Sequence, residues 1–347
     1  MRAPAADQPD LSVVICSRDG AAGVDRCLRS LAAQTGPARI EVIVVDDGSA
    51  DQTSAVATRA GARLVRHPHN LGLAASRNDG VRHARADIVA FLDDDCEADP
   101  RWAERLLATF APGVSGVGGD VRPAGASGYA MGFLTRNNPL LPLEAALSQS
   151  TSLPYRLRLY LEAQLSTDPP TGRRPVNSLV GANMAFRRSV LEGVGLFDAR
   201  FTFGAEELDL CWRVRERFPE MELVVDPAIL VVHHFRPGLR DSLRRARSYG
   251  RGAARLYRKW PHMRATVYPW PMVAGLLALA ALRDRRWAPA LALWPLLAYP
   301  RAARHALRAR GAAPLLDAYV RLAEEHLTNV GFAAGAWEFR DLESERV

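Results

Sequence analysis

Asp93-Asp94-Asp95 follows directly on the apolar run Ile88–Leu92. Three adjacent carboxylates repel one another unless a cation sits among them. Oxygen ligation selects a hard ion, Mg2+ or Mn2+, of the kind that also grips substrate phosphates. Asp46-Asp47-Gly48-Ser49 closes a second apolar run, Ile40–Val45. A carboxylate there can accept hydrogen bonds from a base N–H or a ribose hydroxyl, although D-G-S is also ordinary turn chemistry. Glu206, Glu207 and Asp209 fall within four positions at a helix start, where the dipole favours anions. Glu206 or Glu207 is a candidate general base, and Asp209 can pair with Arg213 four residues on. Arg77 and Asn78 lie on the first turns of a helix entered through Asn70-Leu71-Gly72, near a donor-rich N-terminus. His233-His234 follows another apolar run, and either could complete a metal site with an acidic cluster. Each group also has a plain structural reading, as a capped turn, a charged helix face or a core histidine; their order and spacing together carry the argument.

A frame must bring these groups together. Leu11–Cys16, Ile40–Val45, Ala62–Val65 and Ile88–Leu92 read as short strands, and Val114–Val121 as a glycine-rich one. Between them Val24–Gln34, a segment through Val56, Leu73–Ala84 and Trp102–Phe110 read as helices, with Ser49 or Asp51 as a cap for the second. Strands alternating with such helices predict βαβ units and a parallel sheet, whose ligands bind at the carboxyl ends of the strands. Asp46-Asp47 and Asp93–Asp95 should then open onto one crevice. From Pro123 to Pro175 the pattern weakens to loops with one helix around Tyr155–Leu165. Order returns at Asn177–Phe186, in a helix over Glu206–Phe218, and in the apolar runs Met221–Val225 and Ile229–Val232. Val267–Leu282 and Trp287–Tyr299 are apolar but proline-bearing, and both are shorter than the roughly 20 residues of a spanning helix. A buried helical pair or a hairpin in one leaflet fits them better.

Composition narrows the class. With 347 residues, 48% of them hydrophobic and 24% charged, the chain is neither disordered nor collagen-like, and it suggests two domains or one with an extension. Four dispersed cysteines without C-x-x-C argue against a disulfide scaffold or zinc ribbon and for a reducing compartment. Met1–Asp10 is polar and carries prolines, unlike a signal peptide. The expected placement is cytoplasmic, peripheral at or anchored to the inner face of the cell membrane. The net charge of +7 is local: residues 236–264 hold ten basic side chains against Asp241, a net of +9, so the remainder sums to −2. Such a stripe seeks phosphates. Only Tyr249, Tyr257 and Trp260 interleave it, too few for a nucleic-acid stacking platform, so no nucleic acid is expected and an anionic membrane surface is preferred.

Six stretches in order resemble a family 2 glycosyltransferase of the GT-A fold: V-V-I-C-S-R-D-G (13–20), E-V-I-V-V-D-D-G-S-A-D-Q-T (41–53), N-L-G-L-A-A-S-R-N (70–78), F-L-D-D-D (91–95), G-A-N-M-A-F-R-R (181–188) and F-G-A-E-E-L-D-L-C-W-R (203–213). The resemblance implies an α/β, Rossmann-like, mostly parallel mixed sheet. It divides the chain into a transferase domain over 1–235, with a donor half of about 10–122 and an acceptor half of about 123–235, and a helical, partly apolar extension over 236–347. It further implies donor or nucleotide contacts from Ser17, Arg18, Asp46, Asp47, Arg77, Asn78, Asp93 and Asp94. Asp93 and Asp95 would be the D-x-D metal ligands, with Mg2+ or Mn2+ and help from His233 or His234. Gly181, Ala182, Asn183, Asp209, Trp212 and Arg213 would line the sugar and acceptor pocket, and Glu207 falls where the family has its catalytic aspartate.

The sequence departs from the family in three places. The usual P-T-Y-N-R is C-S-R-D-G, the base position holds Glu, and the Q-x-x-R-W of processive synthases is absent. The implied reaction is inverting, metal-dependent addition of a single hexosyl or deoxyhexosyl unit from a UDP- or dTDP-sugar to a glycan or lipid-linked acceptor in the cell envelope. A nucleotidyltransferase is disfavoured because S-R-D-G-A-A-G lacks the lysine of a phosphate loop. A non-catalytic module with a degenerate transferase fold, nucleotide-sugar-binding or membrane-tethered, is the remaining alternative.

Overall fold

A computed structural model describes residues 8–125, 127–138, 140, 152–166, 171–201, 204–236, 238–263 and 265–341. Phe203 of the F-G-A-E-E stretch and Arg264 at the end of the basic segment lie outside them. The described residues form two compact units.

The first unit is an α/β sandwich. Its strands are β1 (Leu11–Ser17), β2 (Ile40–Asp46), β3 (Arg63–Arg66), β4 (Ile88–Asp93), β5 (Cys96–Ala98), β6 (Val114–Pro123), β7 (Arg174–Val176), β8 (Asn183–Arg187) and β9 (Glu222–His233). Its helices are α1 (Ala21–Ala32), α2 (Thr53–Arg59), α3 (Leu73–His83) and α4 (Trp102–Thr109), and further along the chain α7 (Arg188–Gly193) and α8 (Glu206–Arg217). The strand order is β3-β2-β1-β4-β8-β6-β9-β5, with β7 on β9. Strands β3, β2, β1 and β4 are mutually parallel, and β8 runs antiparallel to both β4 and β6. This is the mostly parallel mixed sheet expected.

The apolar runs make central strands because both sheet faces are covered. Val13 and Ile15 of β1 pack on the layer holding Leu28 and Leu31 of α1 and Trp102 and Leu106 of α4. Val14, between them, joins Val81 of α3 and Leu210 and Val214 of α8 on the other side. Successive residues point to opposite faces, so the period of two divides one run between two cores.

The two apolar runs expected near 221–232 are one strand. β9 pairs in parallel with β6, and its register slips where Gly119 faces Asp226 but Asp120 faces Leu230. Pro227, without an N–H, sits in this bulge, as proline within a strand must. A Cβ on Gly119 would fall 1.8 Å from the carbonyl oxygen of Ile229, so only glycine fits. Asn183 at the start of β8 closes the gap: its Nδ2 donates to the carbonyls of Asp120 (3.0 Å) and Ile229 (2.9 Å), and its Oδ1 accepts from Trp102 Nε1 (2.9 Å). Asn183 is fully buried. Asn183→Ala would orphan buried groups on three elements. At about 1–3 kcal/mol for each such group, it is expected to lower unfolding free energy by about 2–4 kcal/mol in a denaturant titration.

The second unit is helical: α5 (Tyr129–Arg136), α6 (Leu153–Leu165), α9 (Leu239–Lys259), α10 (Trp270–Arg283), α11 (Ala288–Ala298), α12 (Pro300–Ala309) and α13 (Asp317–Glu338). Here the division differs from the expected boundary at 235, because α5 and α6 group with the helices after it rather than with an acceptor half. The reason is polar. Buried Asp317 accepts from Tyr129 Oη (3.0 Å), Arg136 Nε and Nη2 (2.6 and 2.8 Å) and Asn137 Nδ2 (3.1 Å). Glu325 accepts from Tyr160 Oη (2.7 Å) and Tyr299 Oη (2.8 Å). Among the described residues no helix is long and apolar enough to cross a membrane.

Candidate active site

The parallel register aligns the chemistry. Ser17 of β1 pairs with Asp46 of β2, and Cys16 pairs with Asp93 of β4. The three strands therefore end at one level. Because β8 is antiparallel to β4, its first residue pairs with Leu92 and Gly181-Ala182 arrive at the same edge. Strand β9 ends there too, with His233 paired to Cys96.

Asp93, Asp95 and His233 converge. His233 Nε2 lies 3.2 Å from Asp95 Oδ1 and 4.0 Å from Asp93 Oδ2, and its ring stacks on Phe235 at 4.0 Å between centroids. Both carboxylates are about one-third exposed, so they face the crevice rather than the core. Asp95, Cys96 and His233 also bring one ligand atom each within 4.8 Å of one another. Burial pushes the Cys96 thiol well above its ordinary range, and a soft sulfur suits Mn2+ or Mg2+ less than the oxygens beside it. Two carboxylates and one imidazole are a donor set that fits Mn2+ or Mg2+. His234 is turned away from this group: its Nε2 lies 2.7 Å from Glu97 Oε1. Glu97, which His234 meets, lies on β5 beyond the cluster, so of the pair only His233 faces Asp93 and Asp95.

Asp94, the middle residue, serves the frame. Its Oδ2 accepts from Ser17 Oγ and lies where a Cβ on Gly20 would sit, at 2.1 Å. Gly20 opens α1, so the glycine lets the helix start press against this carboxylate. Ser17 and Asp94 hold the crevice floor rather than presenting open donor contacts. The neighbouring turn is laced to the loop after β2: Asp19 N donates to Ser49 Oγ (2.9 Å), Gly20 N to Thr53 Oγ1 (3.1 Å) and Ala21 N to Asp51 Oδ2 (3.0 Å). Arg18, by contrast, is exposed, 4.0 Å from Asp19.

Asp46 and Asp47 are both buried. Burial opposes ionisation of Asp46, but hydrogen bonds from Ser49 and Ser54 outweigh it and hold its carboxyl below the usual range. Asp47 accepts from the backbone N–H groups of Leu71 (2.7 Å) and Gly72 (2.9 Å), and its Oδ1 lies 2.8 Å from His67 Nδ1. The other ring nitrogen of His67 is 3.0 Å from Asp79 Oδ2. Asp47 thus fixes the loop that enters α3, a task the D-D-G-S pattern did not reveal.

Arg77 is the hub. It is 3% exposed, yet its Nη1 donates to Glu206 Oε1 at 2.8 Å, and its Nη2 lies 3.3 Å from the Gly181 carbonyl and 3.5 Å from Asp93 Oδ1. Its guanidinium stands 5.5 Å over the Phe197 ring. Burial alone would lower its pKa, but Glu206 and Asp93 raise it. Asn78 does not reach the pocket: it exchanges two 2.8 Å hydrogen bonds with the backbone of Phe197. Sequence reasoning missed Phe197, since nothing local marks a residue whose partners lie about 120 positions away.

Helix α8 opens after Gly204 and Ala205, both in the left-handed region (φ 79° and 67°). Holding a buried alanine there costs about 1–2 kcal/mol. The kink aims Glu206 and Glu207 at Arg77 and Asp93. The two glutamates differ. Glu206 is buried against Arg77, and its Oε2 has no hydrogen-bond partner among the described residues. Glu207 is partly exposed. Burial, then the neighbouring Glu206, push its carboxyl up to about 8, against the pull of Arg77.

Asp209 is fully buried and accepts from Arg213 Nε (2.9 Å), while Arg213 Nη1 donates to the Val194 carbonyl. These two residues brace α8 and do not line an open pocket. Asn183 is likewise excluded by its place in the bulge. Trp212, half-buried, lies beneath Arg215, whose guanidinium is 5.8 Å from its ring. Ala182 accepts from Cys96 Sγ through its carbonyl (3.8 Å).

A doubly covered, mostly parallel sheet with acidic strand ends and a carboxylate-bearing helix facing them is a GT-A architecture. The model of the family described as Glycosyl transferase family 2 matches residues 12–195, more than half of the chain, which therefore belongs to that family. The chain is 33% identical over 255 residues to a pre-mycofactocin glycosyltransferase of Mycobacterium tuberculosis, covering 73% of this chain and 48% of that protein. It is 32% identical over 223 residues to a validoxylamine A glucosyltransferase of Streptomyces hygroscopicus subsp. limoneus, covering 59% and 48%. The chain thus spans about half the length of these curated relatives. Among solved structures, a mannosyltransferase from Pyrobaculum calidifontis in complex with GDP-Man and Mn2+ superposes with a TM-score of 0.57 at 21% identity, over 96% of this chain and 88% of that one. That likeness is one of fold.

Proposed function

We propose that this chain is an inverting glycosyltransferase that moves one sugar from a nucleoside-diphosphate sugar to an acceptor hydroxyl, with Glu207 as general base. The observation that carries the reading is the pairing of two differently tuned acidic groups at one crevice. The Asp93, Asp95 and His233 cluster suits a divalent cation, and the partly exposed Glu207 carboxyl has a raised proton affinity. Relatives named as glycosyltransferases support it.

Asp93, Asp95 and His233 would hold Mn2+ or Mg2+, which, when bound, neutralises charge on the leaving diphosphate as a Lewis acid. Glu207 accepts the acceptor's proton as that hydroxyl attacks the anomeric carbon from the face opposite the leaving group. A carboxylate lifted towards neutrality is a stronger base than an ordinary one and is still partly ionised at pH 7. Glu206 does not take this role, because its buried charge is spent on Arg77. Asp46 and the turn around Arg18 and Ser49 lie where β1 and β2 end, beside the crevice, and are assigned the nucleotide. Gly181-Ala182 and Trp212 are assigned the sugar and acceptor. A UDP- or dTDP-sugar donor and a glycan or lipid-linked acceptor of the cell envelope are the substrate classes proposed. A reducing, cytoplasmic setting is supported by four cysteines that stand unpaired.

A panel of nucleotide sugars, assayed for nucleoside diphosphate release with Mn2+, Mg2+ or EDTA, tests this. Release from one donor that EDTA abolishes is expected. No release from any donor, with no metal-dependent nucleotide binding, would favour a non-catalytic module.

A further inference from the structure

Among the described residues, the helical unit presents an exposed apolar face. On α10, Met272, Leu276, Leu279 and Leu282 recur at helical spacing and share one side. Leu276 is 67% exposed and Leu282 84%. Helix α11 adds Leu293 and Leu297, the latter 73% exposed. The two helices form a hairpin: Trp294 Nε1 donates to the Trp270 carbonyl (3.3 Å), and the two rings meet edge to face at 5.4 Å. A short 3-10 turn, Arg285–Trp287, joins them, with Trp287 half exposed. Large apolar side chains exposed in such number on a helical hairpin mark a contact surface.

The charges next to it along the chain point to the partner. Residues 267–310 contain seven arginines and a single acidic residue, Asp284, a net of +6. Asp284 is used locally, accepting from Arg286 N at 3.0 Å to hold the turn. Arg283, Arg285 and Arg286 are exposed at the hairpin tip. We propose that this face docks the chain on an anionic lipid surface, with α10 and α11 lying flat in the headgroup region. A second copy of the chain would bring the three tip arginines against their like, whereas anionic headgroups complement them. Insertion end-on is opposed by the three tip arginines and by length, since the 14 residues of α10 reach about 21 Å against a hydrocarbon core of about 30 Å. Lying flat, the leucines dip below the phosphates while the guanidinium groups and Trp287 stay at the interface. The inference is independent of the proposed transferase activity.

The full chain would be sedimented with vesicles of phosphatidylcholine alone or mixed with phosphatidylglycerol. The wild type is expected to bind the anionic vesicles in preference, less so at high salt. The triple variant Leu276→Ser, Leu282→Ser, Leu297→Ser keeps the charge and changes only exposed side chains. It is expected to keep the wild-type Tm and to bind about tenfold or more weakly. Arg283→Gln, Arg285→Gln, Arg286→Gln together should weaken the preference for anionic vesicles. Equal binding of the serine variant and the wild type would overturn the proposal, as would a wild type that binds neither vesicle. So would a wild-type dimer that the serine variant dissociates, since a second copy would then be the occupant.

Discussion

Glu207→Gln is expected to lower kcat by about 10²–10⁴-fold, the contribution of a positioned general base, while donor Kd stays nearly unchanged. Glutamine keeps the length and shape of the side chain and removes only its capacity to take a proton. The contrast with Glu206 makes the expectation specific. Glu206→Gln would remove the anion that sits 2.8 Å from the buried Arg77 guanidinium. Breaking a fully buried pair costs about 3–5 kcal/mol, and here Asp93, 3.5 Å from Arg77, offsets part of that cost. Its effect should therefore appear as a lower unfolding midpoint, and a loss of activity should follow the loss of fold. A Glu206→Gln enzyme that is stable but inactive, beside a Glu207→Gln enzyme at full rate, would exchange the two roles.

Asp95→Ala is expected to weaken Mn2+ binding by about 100-fold or more, because a direct ligand should matter at least as much as the outer partners whose loss costs 10–100-fold. Turnover at limiting metal should fall in parallel and recover in part at high Mn2+. Asp95 suits this test better than Asp93, which also lies 3.5 Å from Arg77 and would disturb the hub when removed. Cys96→Ser is the matching control. Mn2+ and Mg2+ prefer oxygen to soft sulfur, so replacing the thiol should leave metal affinity unchanged, even though Cys96 stands close to Asp95 and His233. A Cys96→Ser enzyme that loses the metal as completely as Asp95→Ala would make the thiol a ligand.

Much of this site is legible in the chain because parallel strands buried on both faces write themselves as apolar runs. Leu11–Cys16, Ile40–Val45 and Ile88–Leu92 correspond to β1, β2 and β4, each of which runs one residue further, to Ser17, Asp46 and Asp93. The crevice follows from those ends, and so does the acidic cluster. The three-residue strands β5 and β7 were invisible, since they exist only by pairing with β9. The bulge in β9 made one strand look like two.

Roles within motifs were harder to read than their positions. In D-D-D the outer residues face the crevice and the middle one faces Ser17, a distinction set by strand geometry beyond the triplet. In Arg77-Asn78 the arginine reaches Glu206, 129 residues away, and the asparagine clips Phe197. In Glu206-Glu207-Leu208-Asp209 one carboxylate meets Arg77, one meets the crevice and one braces Arg213. A helix places adjacent residues about 100° apart, so neighbours in a charged run have different surroundings. Composition cannot assign those surroundings. Asn183 shows the same limit: its motif pointed to a sugar pocket, while its amide is consumed by the bulge.

The pH dependence of kcat/KM, measured for the wild type and for Glu207→Gln, tests the central claim most directly. A base acts when ionised, and burial with the adjacent Glu206 raises the Glu207 carboxyl to about 8. The wild-type rate should therefore rise with pH through the neutral range. A cation at Asp93 and Asp95 draws the midpoint downwards but leaves the ascending limb in place. In Glu207→Gln that limb should vanish from the residual rate. An ascending limb that persists unchanged in Glu207→Gln would contradict the account and assign the proton to another group.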